Sequence, residues 1–197
     1  GPTKRQSFVM GGWSDSVAVA YDGLYQAMLR ELQGNKWFTY LRAAAQAQET
    51  QITKEIDRSV RSSFQVGLTE TGSSVYFKSY EDRVAHMAAS DVHRLVNDLI
   101  QAVSSVYNQE DAESGLRLAY DAMRYRAALV DKAANRRAYI YGKALGFRNL
   151  GVKELETVPQ PGSTQTVKTI NAQTFSIQDL PPIHPNDLQN IRPKEQK

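Results

Sequence analysis

The sequence predicts a mainly α-helical fold: long antiparallel helices, packed as helical hairpins or a coiled coil, with one β-hairpin inserted at the tip and an extended C-terminal arm. Three observations lead to this prediction. Pro2 stands at the start and the other six prolines all follow residue 158, so 3–158 lacks the residue that breaks helices. Apolar residues recur every three or four positions through most of 14–156, as on one helix face. Over 64–80 the period changes to two, which is typical of a strand.

The composition narrows the functional classes. The 197 residues suffice for one domain with a modest core or for a helical assembly unit. The absence of cysteine excludes a disulfide framework, a thiolate zinc site and cysteine catalysis. Lys and Arg number 24 against 21 Asp and Glu, and this net charge of +3 predicts no partner by itself. Apolar runs are only a few residues long, so we expect neither a transmembrane helix nor a signal peptide.

The first three helices are predicted from their stripes and ends. The first covers 14–33 and ends at Gly34, with Asn35 as the N-cap of the next. The third begins near Ser79 as N-cap, with Asp82 in its first turn. The stripe of the second helix is Trp37, Leu41, Ala44, Gln48, Ile52, Ile56 and Val60, and that of the third is Val84, Met87, Val92, Leu95, Leu99, Val103 and Val106.

A fourth helix is predicted to open at Asn108 and to carry a coiled-coil seam. Its members are spaced alternately by four and three residues: Leu116, Tyr120, Met123, Ala127, Val130 and Ala134. The small residues in this seam favour a close approach of neighbouring helices. The second, third and fourth helices are each expected to span about 40 Å or more, at ~1.5 Å per residue.

The segment 64–80 predicts an amphipathic β-hairpin. Gly72 and Ser73 fit a two-residue turn of type II′. This register predicts an apolar face made of Phe64, Val66, Leu68, Val75 and Phe77. The opposite face carries Gln65, Gly67, Thr69, Tyr76, Lys78 and Tyr80.

Three interpretations of the hairpin remain open. Its apolar face packs on its own helices, or its strands exchange with a different protein. Alternatively, hairpins from several copies close into a membrane barrel, in which the apolar face meets lipid while Gln65, Thr69 and Lys78 face a watery lumen.

The chain is divided into an N-terminal extension (1–13), a helical body (14–156) and an extended C-terminal arm (157–197). The arm is rich in Gln, Thr, Pro and Asn, and Phe175 is its one aromatic residue. Because such a segment buries too little apolar surface to fold alone, we expect it to order only against a neighbour, with strand-like contacts at 166–170 and 175–177.

No motif for catalysis or cofactor binding is present. The sequence lacks a phosphate-binding loop, a zinc-protease motif, a nucleophile elbow and a dinucleotide fingerprint, so a non-enzymatic protein without cofactors is predicted. His86 and His93 are seven residues apart, but no third ligand has suitable spacing for a metal site. The acidic residues near 81 and 110 lie at predicted helix N-termini, where they stabilise the helix dipole.

Positive charge is concentrated between 116 and 148, where eight basic residues stand against Asp121 and Asp131. The eight are Arg117, Arg124, Arg126, Lys132, Arg136, Arg137, Lys143 and Arg148. They form either a solvated face paired with acidic residues of other helices, or a strip that lines a conduit or contacts nucleic-acid phosphates without reading sequence.

Taken together, the Gln- and Ala-rich stretch 43–51, the Tyr-, Arg- and Ala-rich segment 120–145, the lack of cysteine and the Thr/Gln/Pro arm resemble tailed-bacteriophage virion proteins, especially internal proteins ejected to build a DNA conduit. The resemblance implies a ring-forming homo-oligomer located in the virion and, during infection, in the host envelope. Its helices would form a periplasmic barrel and its hairpins an outer-membrane pore, as in efflux ducts. Implied partners are other virion proteins, the host outer membrane and passing double-stranded DNA.

Two other functions fit the same sequence. The first is a head-to-tail adaptor or neck protein of a virion, whose C-terminal arm clamps a neighbouring subunit. The second is a soluble helical nucleic-acid-binding protein. The hairpin discriminates between them, since a pore needs its apolar face in lipid, an adaptor needs that face buried on protein, and a nucleic-acid binder has no use for it.

Overall fold

The computed structural model describes residues 15–34, 38–75, 77–105, 111–179 and 188–195. Over these ranges the chain forms four α-helices and a small antiparallel sheet, which confirms the prediction of a mainly α-helical fold. The helices are α1 (Asp15–Gln33), α2 (Phe38–Glu70), α3 (Lys78–Ser104) and α4 (Ala112–Asn149). After them come β1 (Glu154–Pro159), β2 (Thr169–Asn171), a 3-10 turn (Ile177–Asp179) and β3 (Leu188–Pro193).

The end of α1 follows the prediction, whereas the predicted N-cap of the third helix is wrong, because Ser79 lies inside α3 and the carbonyl of Phe77 accepts a hydrogen bond from the amide of Glu81 at 3.0 Å. The amide of Gly34 donates to the carbonyl of Arg30 at 3.1 Å, which closes the end of α1. Helix α4 ends in a Schellman motif, in which Val152 N–H donates to Phe147 O and Gly151 N–H to Arg148 O, with Gly151 at φ 83°. The predicted N-caps Asn35 and Asn108, with Trp37 and Val106, lie outside the described residues.

The chain divides into two compact units. The sheet unit comprises Ser59–Ala85 and 132–195, and the four-helix unit comprises 15–58 and 86–131. Helices α2, α3 and α4 each contribute residues to both units.

The four-helix unit buries part of the predicted stripes of α2, α3 and α4, in which Ala44, Gln48, Met87, Met123 and Val130 are half-buried. The ring of Tyr21 on α1 stacks on that of Tyr120 on α4, with centroids 4.8 Å apart. The side chain of Gln48 on α2 donates to the backbone carbonyl of Ala20 at 3.3 Å. The fully buried side chains of this unit also include Leu24, Met28, Leu41, Ile52, Ile56, Leu99, Ile100 and Leu116. Burial of Leu116, Tyr120 and Ala127 agrees with the predicted spacing of the α4 seam.

The predicted β-hairpin at 64–80 is wrong. Helix α2 continues to Glu70, so the first strand of the predicted hairpin is helical. The second predicted strand corresponds to the link between α2 and α3 and, from Lys78, to the start of α3. The helix is favoured by small side chains at a spacing of four residues, since Ser59, Ser63, Gly67 and Thr71 share one helix face. The strand-like alternation involves only three apolar residues. Gly72, assigned to the hairpin turn, adopts φ 83° directly after the helix. Tyr76 lies outside the described residues.

In the sheet unit, α2 and α4 approach until their backbones touch. A Cβ atom added at Gly67 would lie 2.0 Å from the carbonyl oxygen of Tyr139. A Cβ atom added at Gly142 would lie 2.2 Å from the carbonyl oxygen of Phe64. One turn further along, Gly146 leaves room for the side chain of Thr71. Two glycines on opposite helices are therefore required for this contact.

The extended C-terminal arm predicted at 157–197 is also wrong. The segment forms a three-stranded antiparallel sheet in the order β2-β1-β3, and the predicted boundary at 156/157 falls inside β1. The predicted contact at 166–170 overlaps β2, whereas 175–177 is not a strand. The strand register places Leu155, Thr157, Ile170 and Ile191 on one buried face of the sheet. Phe175 packs at 5.5 Å from the ring of Tyr141 on α4.

Candidate functional site

The residues assigned to a lipid-facing surface do not all share a face. Phe64 and Leu68 are buried, Val66 and Phe77 are half-buried, and Val75 is exposed. Phe64 contacts Tyr141 edge-on at 6.3 Å between ring centroids, and Tyr80 contacts the same ring at 5.9 Å. Part of the predicted membrane surface is therefore core of the sheet unit. No helix among the described residues combines the length and apolarity needed to cross a bilayer.

The residues assigned to a lumen are also separated. Gln65 is half-buried and donates to Glu81, whereas Thr69 is exposed at the end of α2. Lys78 lies 3.7 Å from Asp82 within α3. These side chains belong to ordinary surface and inter-helix contacts.

An ion-pair cluster joins α2 to the start of α3. The guanidinium of Arg61 donates to Glu81 at 3.2 Å and to Asp82 at 2.6 Å. The hydrogen bond from Arg61, with the charge of Lys78, lowers the pKa of the Asp82 carboxyl. Glu81 is buried, and its carboxylate also accepts a hydrogen bond from the side-chain amide of Gln65. The acidic residues expected to stabilise the helix dipole thus also hold two helices together.

The eight predicted basic contacts fall in two groups. Arg117, Arg124 and Arg126 are exposed in the four-helix unit. Arg117 lies 3.4 Å from Asp121, and Arg126 lies 2.5 Å from Asp98 on α3. The other five belong to the sheet unit, and none of them is fully exposed: Lys132, Arg136, Arg137, Lys143 and Arg148. Pairing with an acid of another helix, as predicted, occurs for Arg126 and for Lys143, which lies beside Glu70 on α2.

Lys143 is enclosed beside α2, with 12% of its side chain exposed. Its ammonium lies 3.9 Å from the carboxylate of Glu70, which also accepts a hydrogen bond from the hydroxyl of Tyr139. Burial lowers the pKa of Lys143 and raises that of Tyr139. This contact reinforces the glycine-mediated approach of α2 and α4.

Arg136 holds strand β3 against α4. Its side chain is buried, and Nη1 donates to the carbonyl oxygens of Leu188 at 3.1 Å and Gln189 at 3.0 Å. Burial lowers the pKa of this guanidinium. Its Nε has no hydrogen-bond partner among the described residues, and only 3% of the residue is exposed.

Replacing Arg136 with methionine is expected to release β3. Two strand carbonyls lose their donor, at about 1–3 kcal/mol, partly offset because a buried charge is removed. Hydrogen exchange should therefore accelerate for the β3 amides more than for α4. The matched control is Arg192→Met, whose side chain is 60% exposed and contacts Glu156 at 2.6 Å. Unchanged protection of β3 in Arg136→Met would contradict the clamp.

A buried polar contact accompanies this arrangement. Asn135 on α4 accepts a hydrogen bond from Ser63 at 2.7 Å and donates to Ser59 at 3.2 Å. Because both serines lie four residues apart on α2, the amide fixes the register of the two helices. This polar group is explained by structure and needs no ligand.

The exposed stripe of α4 was missed at the sequence level. We define it as Leu118, Ala122, Tyr125 and Leu129, spaced by four, three and four residues. Leu118 is 71% exposed and Tyr125 69% exposed, although both are large apolar side chains. The stripe lies on the side of α4 opposite the buried seam, since Tyr120 and Ala127 point into the four-helix unit. The heptad spacing of this stripe is visible in the sequence, but the sequence analysis considered only the buried seam of the same helix.

The structure provides little that resembles a catalytic or metal centre. No group of three or more metal-binding side chains forms within the described ranges. His86 is exposed, and His93 contacts Glu49 at 3.0 Å and Asn97 at 3.0 Å. His184 lies outside the described residues.

An open groove of about 590 Å³ lies between the end of α4 and the end of β3. Within it, Lys194 and Glu154 pair at 3.6 Å, so the charges of this groove neutralise one another. Its lining offers no convergent group for chemistry: Gly151, Val152, Lys153, Glu154, Pro193, Lys194 and Glu195.

No family model, curated protein or solved structure matches this chain. The function is therefore inferred from the surface of the chain itself. The exposed stripe of α4 is the feature that the interior of the four-helix unit does not explain.

Proposed function

We propose that the chain is a non-enzymatic structural subunit of a tailed-bacteriophage virion that assembles into a homo-oligomeric ring along the path of the ejected DNA. The virion and DNA parts of this proposal are supported by the sequence resemblance. The outer-membrane pore is not part of it, because the strands that would have built the pore are α2 and the turn after it.

The exposed stripe of α4 is the observation that carries the proposal. A helix with one apolar face on its own core and a second in water has a surface suited to another chain. Leu118 and Tyr125 account for most of this second face. Single exposed apolar residues are common, but here Leu118, Ala122 and Tyr125 are exposed and Leu129 is half-buried, and the four follow one another at heptad spacing.

The finer architecture belongs to the same proposal. Antiparallel helical hairpins with coiled-coil packing are supported by the buried seam of α4 and by the contact of Gly67 and Gly142 with the facing helix backbones. Such packing gives a rigid subunit, which is the property that a ring requires.

A head-to-tail adaptor is the second candidate. The burial of Phe64 and Leu68 on the chain's own helices favours it, because an adaptor needs no lipid-facing element. In this case the ring joins other virion proteins and the host membrane is not a partner.

The test of the proposal is the mass of a variant with a charged stripe. Combining Leu118→Glu with Tyr125→Glu should lower the sedimenting mass from that of the wild type toward the 22.1 kDa of one chain, because carboxylates are desolvated on association. The matched control is Val19→Glu, since Val19 is 70% exposed on α1 and lies outside the stripe. An unchanged oligomer in the double variant, or equal loss in the control, would reject the stripe as the assembly surface.

Binding to duplex DNA separates this proposal from a soluble nucleic-acid-binding protein. Because weak phosphate contacts add up over many copies, the assembled wild type should bind DNA more tightly than the double variant, with a strong salt dependence. Fluorescence anisotropy with a labelled duplex measures both. If the monomeric variant bound DNA as tightly as the wild type, the nucleic-acid-binding protein would be the better account.

A further inference from the structure

We propose that the exposed stripe of α4 binds the same stripe of a second copy, with the two helices antiparallel and related by a two-fold axis at the level of Met123 and Arg124. This inference rests on the proposed function and specifies the contact through which the subunits assemble. It makes α4 the shared element of a dimer.

Side-chain sizes favour the antiparallel direction. With the axis between positions 123 and 124, Leu118 faces Leu129 of the partner subunit, and Ala122 faces Tyr125 of the partner subunit. A small residue thus receives a large one in the two central layers. Parallel helices would instead place alanine opposite alanine and tyrosine opposite tyrosine, which leaves a void beside a crowded layer.

Charge is also compatible with a second copy. Asp121 and Arg124 flank the same side of the stripe, and both are exposed. In the antiparallel pair Asp121 lies two residue levels, or about 3 Å along the axis, from Arg124 of the partner subunit. The two-fold axis repeats this pair. A parallel arrangement would also place an arginine near Asp121, so charge favours self-association while side-chain size selects the direction.

The size of the stripe determines the strength of the contact. It covers about three helical turns, which is less than the ~800 Å² per partner of a standard interface. We therefore expect pairing that depends on protein concentration. Because a two-fold contact joins only two subunits, a ring that uses it contains an even number of copies.

Cysteine cross-linking tests the direction directly, since the chain has no native cysteine. Leu118→Cys and Leu129→Cys are made separately, mixed at equal concentration and oxidised. Their cysteines share a layer in the antiparallel pair, so the mixture should give a covalent dimer on a non-reducing gel. Neither variant alone should do so, because each cysteine then lies about 16 Å along the axis from its own copy. Circular dichroism checks that both variants fold.

Each other outcome has a distinct meaning. Cross-linking of Leu118→Cys alone would overturn the antiparallel direction and leave self-assembly standing. No cross-link in a sample that sediments as an oligomer would place the contact elsewhere and overturn the inference alone. If added duplex DNA protected the thiol of Leu118→Cys from maleimide, without cross-linking, the stripe would be assigned to nucleic acid. A wild type that stays monomeric at all concentrations would reject the inference and the proposed function together.

Discussion

Replacing Leu68 with arginine is expected to unfold the sheet unit. Leu68 is only 3% exposed on the α2 face that packs against α4, and its amide lies 3.1 Å from where a Cβ atom of Gly142 would be. An arginine there buries an unpaired charge in a backbone contact that cannot widen cheaply, so we expect a loss of at least about 4 kcal/mol. Circular dichroism at 222 nm during urea and thermal unfolding measures it.

The neighbouring residue provides the control for this variant. Thr69 is exposed at the end of α2, and Thr69→Arg should change the free energy of unfolding by at most about 0.5 kcal/mol. Equal tolerance of arginine at both positions would mean that α2 does not pack through Leu68. A greater loss at Thr69 would mean that the helix is rotated from the orientation described above.

Gly142→Ala is expected to have the second largest effect. Its added methyl group would lie 2.2 Å from the carbonyl oxygen of Phe64, and backbone cannot rotate away as a side chain can. Overpacking of this kind destabilises by roughly 1–3 kcal/mol, occasionally more. The better helix propensity of alanine returns only about 1 kcal/mol. We therefore expect a net loss of up to about 2 kcal/mol, measured by urea unfolding, and the same direction for Gly67→Ala.

Gly23→Ala on α1 is the matched control. Its methyl group would meet only the end of the Gln48 side chain, which is flexible and can move. The gain in helix propensity, about 1 kcal/mol, then offsets the hydrogen bond from Gln48 to the carbonyl of Ala20 that this movement weakens, so the free energy of unfolding of the control is expected to stay within about 1 kcal/mol of the wild type. If Gly142→Ala were as stable as this control, the close approach of α2 and α4 would be refuted.

The helices could be predicted from the sequence because their signals are long. The stripe from Leu41 to Val60 repeats over several turns, and the seam of α4 continues from Leu116 to Ala134. Each pattern is several times longer than chance alternation produces, and proline is absent throughout. Their burial agrees with the predicted faces.

The hairpin could not be rejected from the sequence by periodicity alone. Phe64, Val66 and Leu68 alternate as a strand would, but Phe64 and Leu68 are also four apart and share a helix face. The deciding fact is that Gly67 meets Tyr139, more than seventy positions away in the chain. Tertiary contact of that kind overrides a local pattern of three residues.

The sheet and the exposed stripe were missed for different physical reasons. The sheet depends on pairing between β1 and β3, which are separated by more than two dozen residues and carry few apolar side chains. Register of this kind has no local signal. The stripe did have one, in the heptad spacing of Leu118 and Tyr125, but deciding which of two seams faces water requires the packed helices.

Sedimentation equilibrium of the wild-type protein, without detergent and over a range of concentrations, tests the assembly claim most directly. We predict a weight-average mass that rises with concentration above the 22.1 kDa of one chain, and fitted oligomers that contain even numbers of chains if the two-fold contact of α4 is used. A mass that remains at 22.1 kDa up to several hundred micromolar would contradict it.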